Sequence, residues 1–317
     1  MPSPGATATL LRPQTATPVF TPVPANLMAA IEAARVSNLP GTSSVTLLMP
    51  DAETVGANGA QPFYAASTIK LPIYLTLAHR IKTGEAAFTW NTPITVRPDD
   101  IVGGTGVLQQ MPGRTLSVRE VANLMIGESD NVAANLLLGC LGGECHTRPE
   151  HVREGAMIVT QDMETRLSVR GIAIQRGLQD PEAAAMHLNT VTTDALAILM
   201  HRVMQERRTL DGADDLSTLL EGRGMHNPWH PGDVVPCSLG LSRIGGIYPA
   251  DRNNDGVRLD LLYVPGVGGQ GYILAVGTTT TPALEAGIEA RIAHFEGDVQ
   301  KLLSGTWTQC VDTHTRQ

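Results

Sequence analysis

Strand-patterned segments stand near both ends of this chain, and the long stretch between them is patterned as helix. The first strand reads SVTLLM at 44–49, and the pattern from Ser67 to about residue 225 is mostly helical. The last third turns to strands again: VVPCSLGLSRIGG, then VRLDLLYV at 257–264, then GYILAVGTT. Consecutive strands tend to pair, so this order predicts one sheet built from both ends of the chain with a helical domain inserted into it. The expected fold class is α/β in the α+β sense, an antiparallel sheet flanked by an N-terminal and a C-terminal helix. The corresponding domain limits are 26–66 with 226–305 for the sheet and 67–225 for the helices.

Local signals place the ends of several elements. Asn26 precedes a helix with Leu27, Ala30, Ile31 and Ala34 on one face, and a Gly/Asn turn is predicted at 56–59. Ser117 and Glu120 form a capping-box pair ahead of Val121, Leu124 and Met125. Thr192 precedes a helix bearing Leu196, Leu199, Met200 and Val203. Thr281-Pro282 is expected to open the last helix, with Leu284, Ile288, Ile292, Phe295, Val299 and Leu302 inward and Gly305 ending it.

Composition narrows the function classes. The 317 residues carry a net charge of −8 with no basic cluster, which argues against nucleic acid as a partner. No apolar run has the length of a membrane span. Residues 1–25, rich in Pro, Thr and Ala, read as an extended tether, and 306–317 as a tail. The tether suits a periplasmic or secreted protein whose export signal is not part of this sequence. Cys140 and Cys145 flank LGGE at a spacing that fits no common zinc pattern, which leaves a local disulfide or two free thiols; Cys237 and Cys310 are the other two cysteines.

The chemistry centres on FYAASTIKLPIY at 63–74. Residues three apart on a helix lie nearly one above the other, so a Ser67 in the first turn presents its hydroxyl beside the ammonium of Lys70. A helix N-terminus adds free N–H groups for a developing oxyanion, and burial favours the neutral amine that a base requires. Pro72 is awkward there, since it removes a helical N–H. A second cluster, Ser129-Asp130-Asn131, interrupts two helical stretches. It is a helix–helix corner with an Asp or Ser cap, or a hydroxyl and an amide facing a cleft. A third, SRIGG at 242–246, puts a basic residue and two glycines on a strand, where glycine often marks close backbone approach.

Ser67-Thr-Ile-Lys70, Ser129-Asp-Asn131 and Arg243-Ile-Gly245 occur in the order of the S-x-x-K, S-D-N and K-T-G signature. With DIVGGTGVL at 100–108, LMIGESDN at 124–131 and GVRLD at 256–260, the chain resembles the class A β-lactamases and penicillin-binding proteins over roughly residues 26–304. The resemblance implies a serine hydrolase acting through an acyl-enzyme on small β-lactams, D-alanyl peptides or esters, without a cofactor or metal. Ser67 would be the nucleophile, Lys70 the base or proton carrier and Ser129 the proton shuttle. Asn131 would bind a substrate amide, and the N–H groups of Ser67 and Gly246 would form the oxyanion hole. Arg243 and Gly245 would line the third motif, with Arg258 pairing the substrate carboxylate.

Two departures qualify that expectation. Ile244 stands where the third motif has a Thr, removing a hydroxyl. The loop after Thr165-Arg166-Leu167, where class A enzymes carry a Glu that activates the deacylating water, reads SVRGIAIQRGLQDPEAAAMHLN; its later carboxylates are Asp180 and Glu182. Slow deacylation is therefore expected. A stable penicillin adduct, a D-alanyl peptidase, a small-ester hydrolase and a silent penicillin-recognising domain stay open as alternatives. Finally, Asp251-x-Asn253-x-Asp255-Gly256 matches half of a calcium loop, but Leu262 occupies its twelfth position, and the same residues suit a hairpin turn.

Overall fold

The computed structural model describes residues 26–179, 189–226, 242–248, 256–265, 271–284 and 287–303. Helix α1 (Leu27–Asn38) leads into a hairpin of β1 (Ser43–Leu48) and β2 (Thr54–Ala57), then β3 (Pro62–Tyr64), a 3₁₀ turn over Ala66–Ile69, and α2 (Lys70–Thr83). Strands β4 (Pro93–Thr95) and β5 (Thr115–Ser117) bracket a long loop before α3 (Val118–Gly127), α4 (Asn131–Leu141) and α5 (Pro149–Thr165). Short strands β6 (Ile172–Ala173) and β7 (Thr190–Thr192) precede α6 (Thr193–Gln205) and α7 (Ala213–His226). The chain then forms β8 (Ser242–Tyr248), β9 (Gly256–Val264), β10 (Tyr272–Thr280) and α8 (Ile288–Leu303).

The main sheet has the order β2-β1-β10-β9-β8, antiparallel throughout, so the first strands and the last three do share one sheet. Both of its faces are covered. Val45, Leu47, Leu262, Leu274 and Val276 pack with Leu27 and Ile31 of α1 and Ile292 and Phe295 of α8. Leu259, Leu261, Ile273 and Ala275, on the opposite face, join a core that runs through α2 to α6. Period-two alternation thus divides β9 between two cores. On β1 the same alternation turns Ser44 and Thr46 inward, where Thr193 of α6 meets their hydroxyls at 2.5 and 2.9 Å and leaves neither buried group unpaired.

Several local expectations are met by direct bonds. Ser117 accepts from the Glu120 N–H at 3.2 Å while the Glu120 carboxylate accepts from the Ser117 N–H at 2.7 Å. Thr192 caps α6 through the Ala195 N–H at 3.1 Å. Asn26 precedes α1 as expected, with no side-chain cap bond because its own backbone is already helical at φ −94° and ψ −2°. Others need correction. Gly56 lies within β2, where a Cβ would run into the Val45 carbonyl, and the chain turns only at Asn58, φ +58°. The last helix begins at Ile288 rather than Thr281, and its inward residue is Leu303, with Leu302 exposed. Pro72 is accommodated because α2 starts at Lys70. Pro72 then falls in the first turn, where N–H groups have no α-helical acceptor. The 1–25 tether, the 306–317 tail, Gly305, Cys237, Cys310 and the Asp251–Asp255 pattern lie outside the described residues.

Candidate active site

Three elements meet at one place: the Ala66–Ile69 turn leading into α2, the corner between α3 and α4, and β8, which packs against that turn. Lys70 is the first residue of α2 and is wholly buried. Its Nζ lies 3.0 Å from Ser67 Oγ, 2.9 Å from Ser129 Oγ, 2.6 Å from the Ser129 carbonyl and 2.8 Å from Asn131 Oδ1. The carbonyl and the amide oxygen can only accept, so each claims a Lys70 N–H. The two hydroxyls can donate as well as accept. A neutral Lys70 can therefore satisfy both fixed acceptors and still take a proton from one serine and return it through the other. Ser67 itself is only partly covered.

Strained backbone flanks both hydroxyls. Ala66, just before Ser67, has φ +42°, and Ser129 has φ +53°. A non-glycine residue in the left-handed region costs on the order of 1 kcal/mol, and such residues persist where their surroundings over-determine them. At Ser129 the result is that carbonyl and hydroxyl both turn to Lys70. The corner is held from behind by Asp130, whose Oδ1 accepts from the Ala133 N–H at 2.9 Å, capping α4, and whose Oδ2 accepts from the Leu108 N–H at 2.8 Å. The cap reading of this segment is met by Asp130, which stands between the two residues whose side chains turn to Lys70.

The GGTG run at 103–106 closes the other side. Thr105 donates to the Ser129 carbonyl at 2.6 Å, and Asn131 Nδ2 donates to the Gly103 carbonyl at 3.1 Å. A Cβ at Gly104 would collide with the Asn131 amide, and one at Gly106 with the Asp130 carboxylate; both glycines also have positive φ, +92° and +117°. Only glycine lets this loop come so close.

One turn further along α4, Asn135 grips the loop that follows α5. Its Oδ1 accepts from the Leu178 N–H at 2.7 Å and its Nδ2 donates to the Leu178 carbonyl at 2.9 Å. Residues four apart share a helix face, so the clamp ties the backbone of Leu178 to the face of α4 that carries Asn131. The Leu178 side chain is buried in the helical core. Asn135 and Leu178 carry no separate mark in the sequence. An Asn within the otherwise apolar NLLLGCL was the available signal, since a buried amide needs partners. Asp180 and Glu182 lie outside the described residues.

The third motif is placed by its backbone. Arg243, Gly245 and Gly246 lie on β8 opposite Leu262, Asp260 and Leu259 of β9. Arg258 lies on the neighbouring strand, β9. It pairs with Thr278 on β10, and along β9 it alternates with Leu259 and Leu261, which face the helical core. Arg258 therefore projects to the opposite face, towards α8, where it is buried and donates from Nε to Glu289 at 3.0 Å. Arg258→Ala is expected to destabilise the fold by about 1–3 kcal/mol, moderated because Glu289 keeps some contact with water. Thermal denaturation checks this. An unchanged melting temperature would contradict it.

Cys140 and Cys145 are joined in a disulfide, which removes both thiols from any metal role. Among the described residues no helix is long and apolar enough to cross a membrane.

The family model described as Beta-lactamase enzyme family matches residues 26–290. The chain belongs to the β-lactamase enzyme family. Among curated members, β-lactamase L2 of Stenotrophomonas maltophilia is 31% identical over 124 residues, 38% of this chain and 40% of that protein. The curated relatives are thus matched over less than half of their length. The β-lactamase of Sphaerobacter thermophilus DSM 20745 has the same fold, with a TM-score of 0.67 and 26% identity over 87% of this chain and 96% of that one. PBP-A shares the fold at TM-score 0.64 and 24% identity, over 90% and 98% of the two chains. In this β-lactamase-family chain, the Ser67, Lys70, Ser129 and Asn131 side chains stand together, although the second pair comes some sixty residues after the first.

Proposed function

We propose that this chain is a serine hydrolase that forms an acyl-enzyme on Ser67 with β-lactams or related amides and esters, and that releases β-lactam products slowly. The observation that carries this is the buried Lys70 amino group within 3.0 Å of both the Ser67 and the Ser129 hydroxyls. In the acylation step Ser67 Oγ attacks the carbonyl carbon and its proton passes to a neutral Lys70. As the tetrahedral adduct collapses, the C–N bond breaks and the leaving nitrogen takes a proton from the Ser129 hydroxyl, which recovers one from Lys70. The N–H groups of Ser67 and Gly246 hold the oxyanion, Asn131 the substrate amide, and Arg243, with Gly245 beside it, the anionic end of the substrate.

Slow release rests on Leu178. The residue that α4 holds beside the site brings a buried hydrocarbon and no carboxylate to activate water. The disulfide supports an extracytoplasmic setting, periplasmic or secreted, because such bonds persist in oxidising compartments.

Incubation with a fluorescent penicillin followed by intact-mass spectrometry tests the proposal. A rapidly formed adduct of one penicillin per chain that decays over many minutes is the expected result. Fast turnover without an adduct would indicate an efficient lactamase, and an adduct that never decays a penicillin-binding protein. No reaction at all would leave an ester hydrolase or a silent domain.

A further inference from the structure

We infer that Gln179 is a specificity-determining residue whose side-chain amide, together with that of Asn131, receives the carbonyl of an acylamino side chain on the substrate. The inference rests on the acyl-enzyme reading above and adds to it a residue that no motif marks. Gln179 directly follows the clamped Leu178 and is exposed, with φ +57°. That left-handed backbone is unfavourable for a glutamine.

The side chain comes back to the site. A Cβ placed on Gly104 would collide with Asn131 Nδ2 and stand 3.5 Å from Gln179 Nε2, so the two amide nitrogens approach the same side of Gly104. Asn131 gives one Nδ2 hydrogen to the Gly103 carbonyl, and its Oδ1 is taken by Lys70. Its second Nδ2 hydrogen is available to a ligand. Gln179 Nε2 has two hydrogens, and among the described residues it makes no hydrogen bond. Two N–H donors this close can serve one acceptor at ordinary lengths of about 2.9 Å each. The ligand they fit is a neutral carbonyl oxygen. A carboxylate is a poorer fit, because both donors are uncharged amides. On a β-lactam or an acylated peptide, the group that meets this description is the carbonyl of the acylamino substituent next to the scissile ring or bond.

The test compares acylation of wild type and variants by benzylpenicillin, which has that carbonyl, and by 6-aminopenicillanic acid, which has none. Gln179→Gly removes the amide and keeps the left-handed backbone unstrained. The ratio of acylation rates, benzylpenicillin over 6-aminopenicillanic acid, is expected to fall about three- to tenfold, the size of one lost neutral hydrogen bond. Gln179→Glu, which replaces two donors by acceptors, is expected to lower it further. An unaltered ratio in both variants, with wild type labelled normally, overturns the role of Gln179 alone. Failure of either compound to label wild type overturns the acyl-enzyme reading and this inference with it.

Discussion

Ser67→Ala is expected to abolish covalent labelling by penicillin and to lower any turnover by on the order of 10⁴- to 10⁶-fold, as loss of the nucleophile does in enzymes whose catalytic groups act as a unit. The fold should survive. Lys70 keeps its bonds to the Ser129 carbonyl, the Ser129 hydroxyl and Asn131, and only one contact at a partly exposed hydroxyl is lost. The cost in stability is then about 0.5–1.5 kcal/mol. Peptide mapping of the labelled protein makes the test sharper, because Ser129 Oγ also lies 2.9 Å from Lys70 Nζ and is the obvious rival nucleophile. An adduct on Ser129, or labelling that persists in Ser67→Ala, would sink the assignment.

Wild type is expected to consume about one equivalent of a β-lactam in a burst and then settle to a slow steady state, and Leu178→Glu to speed that second phase. Under the proposed mechanism acylation has its nucleophile and its base, but hydrolysis of the ester needs a water to be held and deprotonated. General-base catalysis is worth about 10² to 10⁴ in rate. Asn135 holds the backbone of residue 178 by both its N–H and its carbonyl, so a carboxylate introduced there inherits a fixed position beside Asn131. Burial raises the pKa of such a Glu, which brings it nearer to the range a base needs at neutral pH. The expected gain in the steady-state rate is about 10²-fold. Leu178→Gln, similar in size and unable to act as a base, separates this from loosened packing and should give no comparable gain. Asp180→Asn and Glu182→Gln should leave the slow phase as it is. If wild type turns over penicillin without a burst, and one of these two variants accumulates the adduct, then a loop carboxylate serves after all and the Leu178 argument fails.

Short-range geometry and the order of segments were enough for part of this molecule. The Ser117–Glu120 box, the Thr192 cap and the approach of Lys70 to Ser67 each close within three residues, so helix geometry alone dictates them. The alternation of strand, helix and strand implied a sheet made from both chain ends, because few topologies bury such segments without crossing connections. Everything that depends on which distant groups meet was set by the tertiary fold. Ser129 and Asn131 reach Lys70 across 59 and 61 residues, and Asn135 reaches Leu178 across 43. No spacing rule operates over such distances. Arg258 shows the same limit within a single strand. Its neighbours Val257 and Leu259 face the helical core, and a shift of one residue would have turned Arg258 there too. The pairing of β9 with β10 sets that register and, with it, the meeting of this guanidinium with the Glu289 carboxylate.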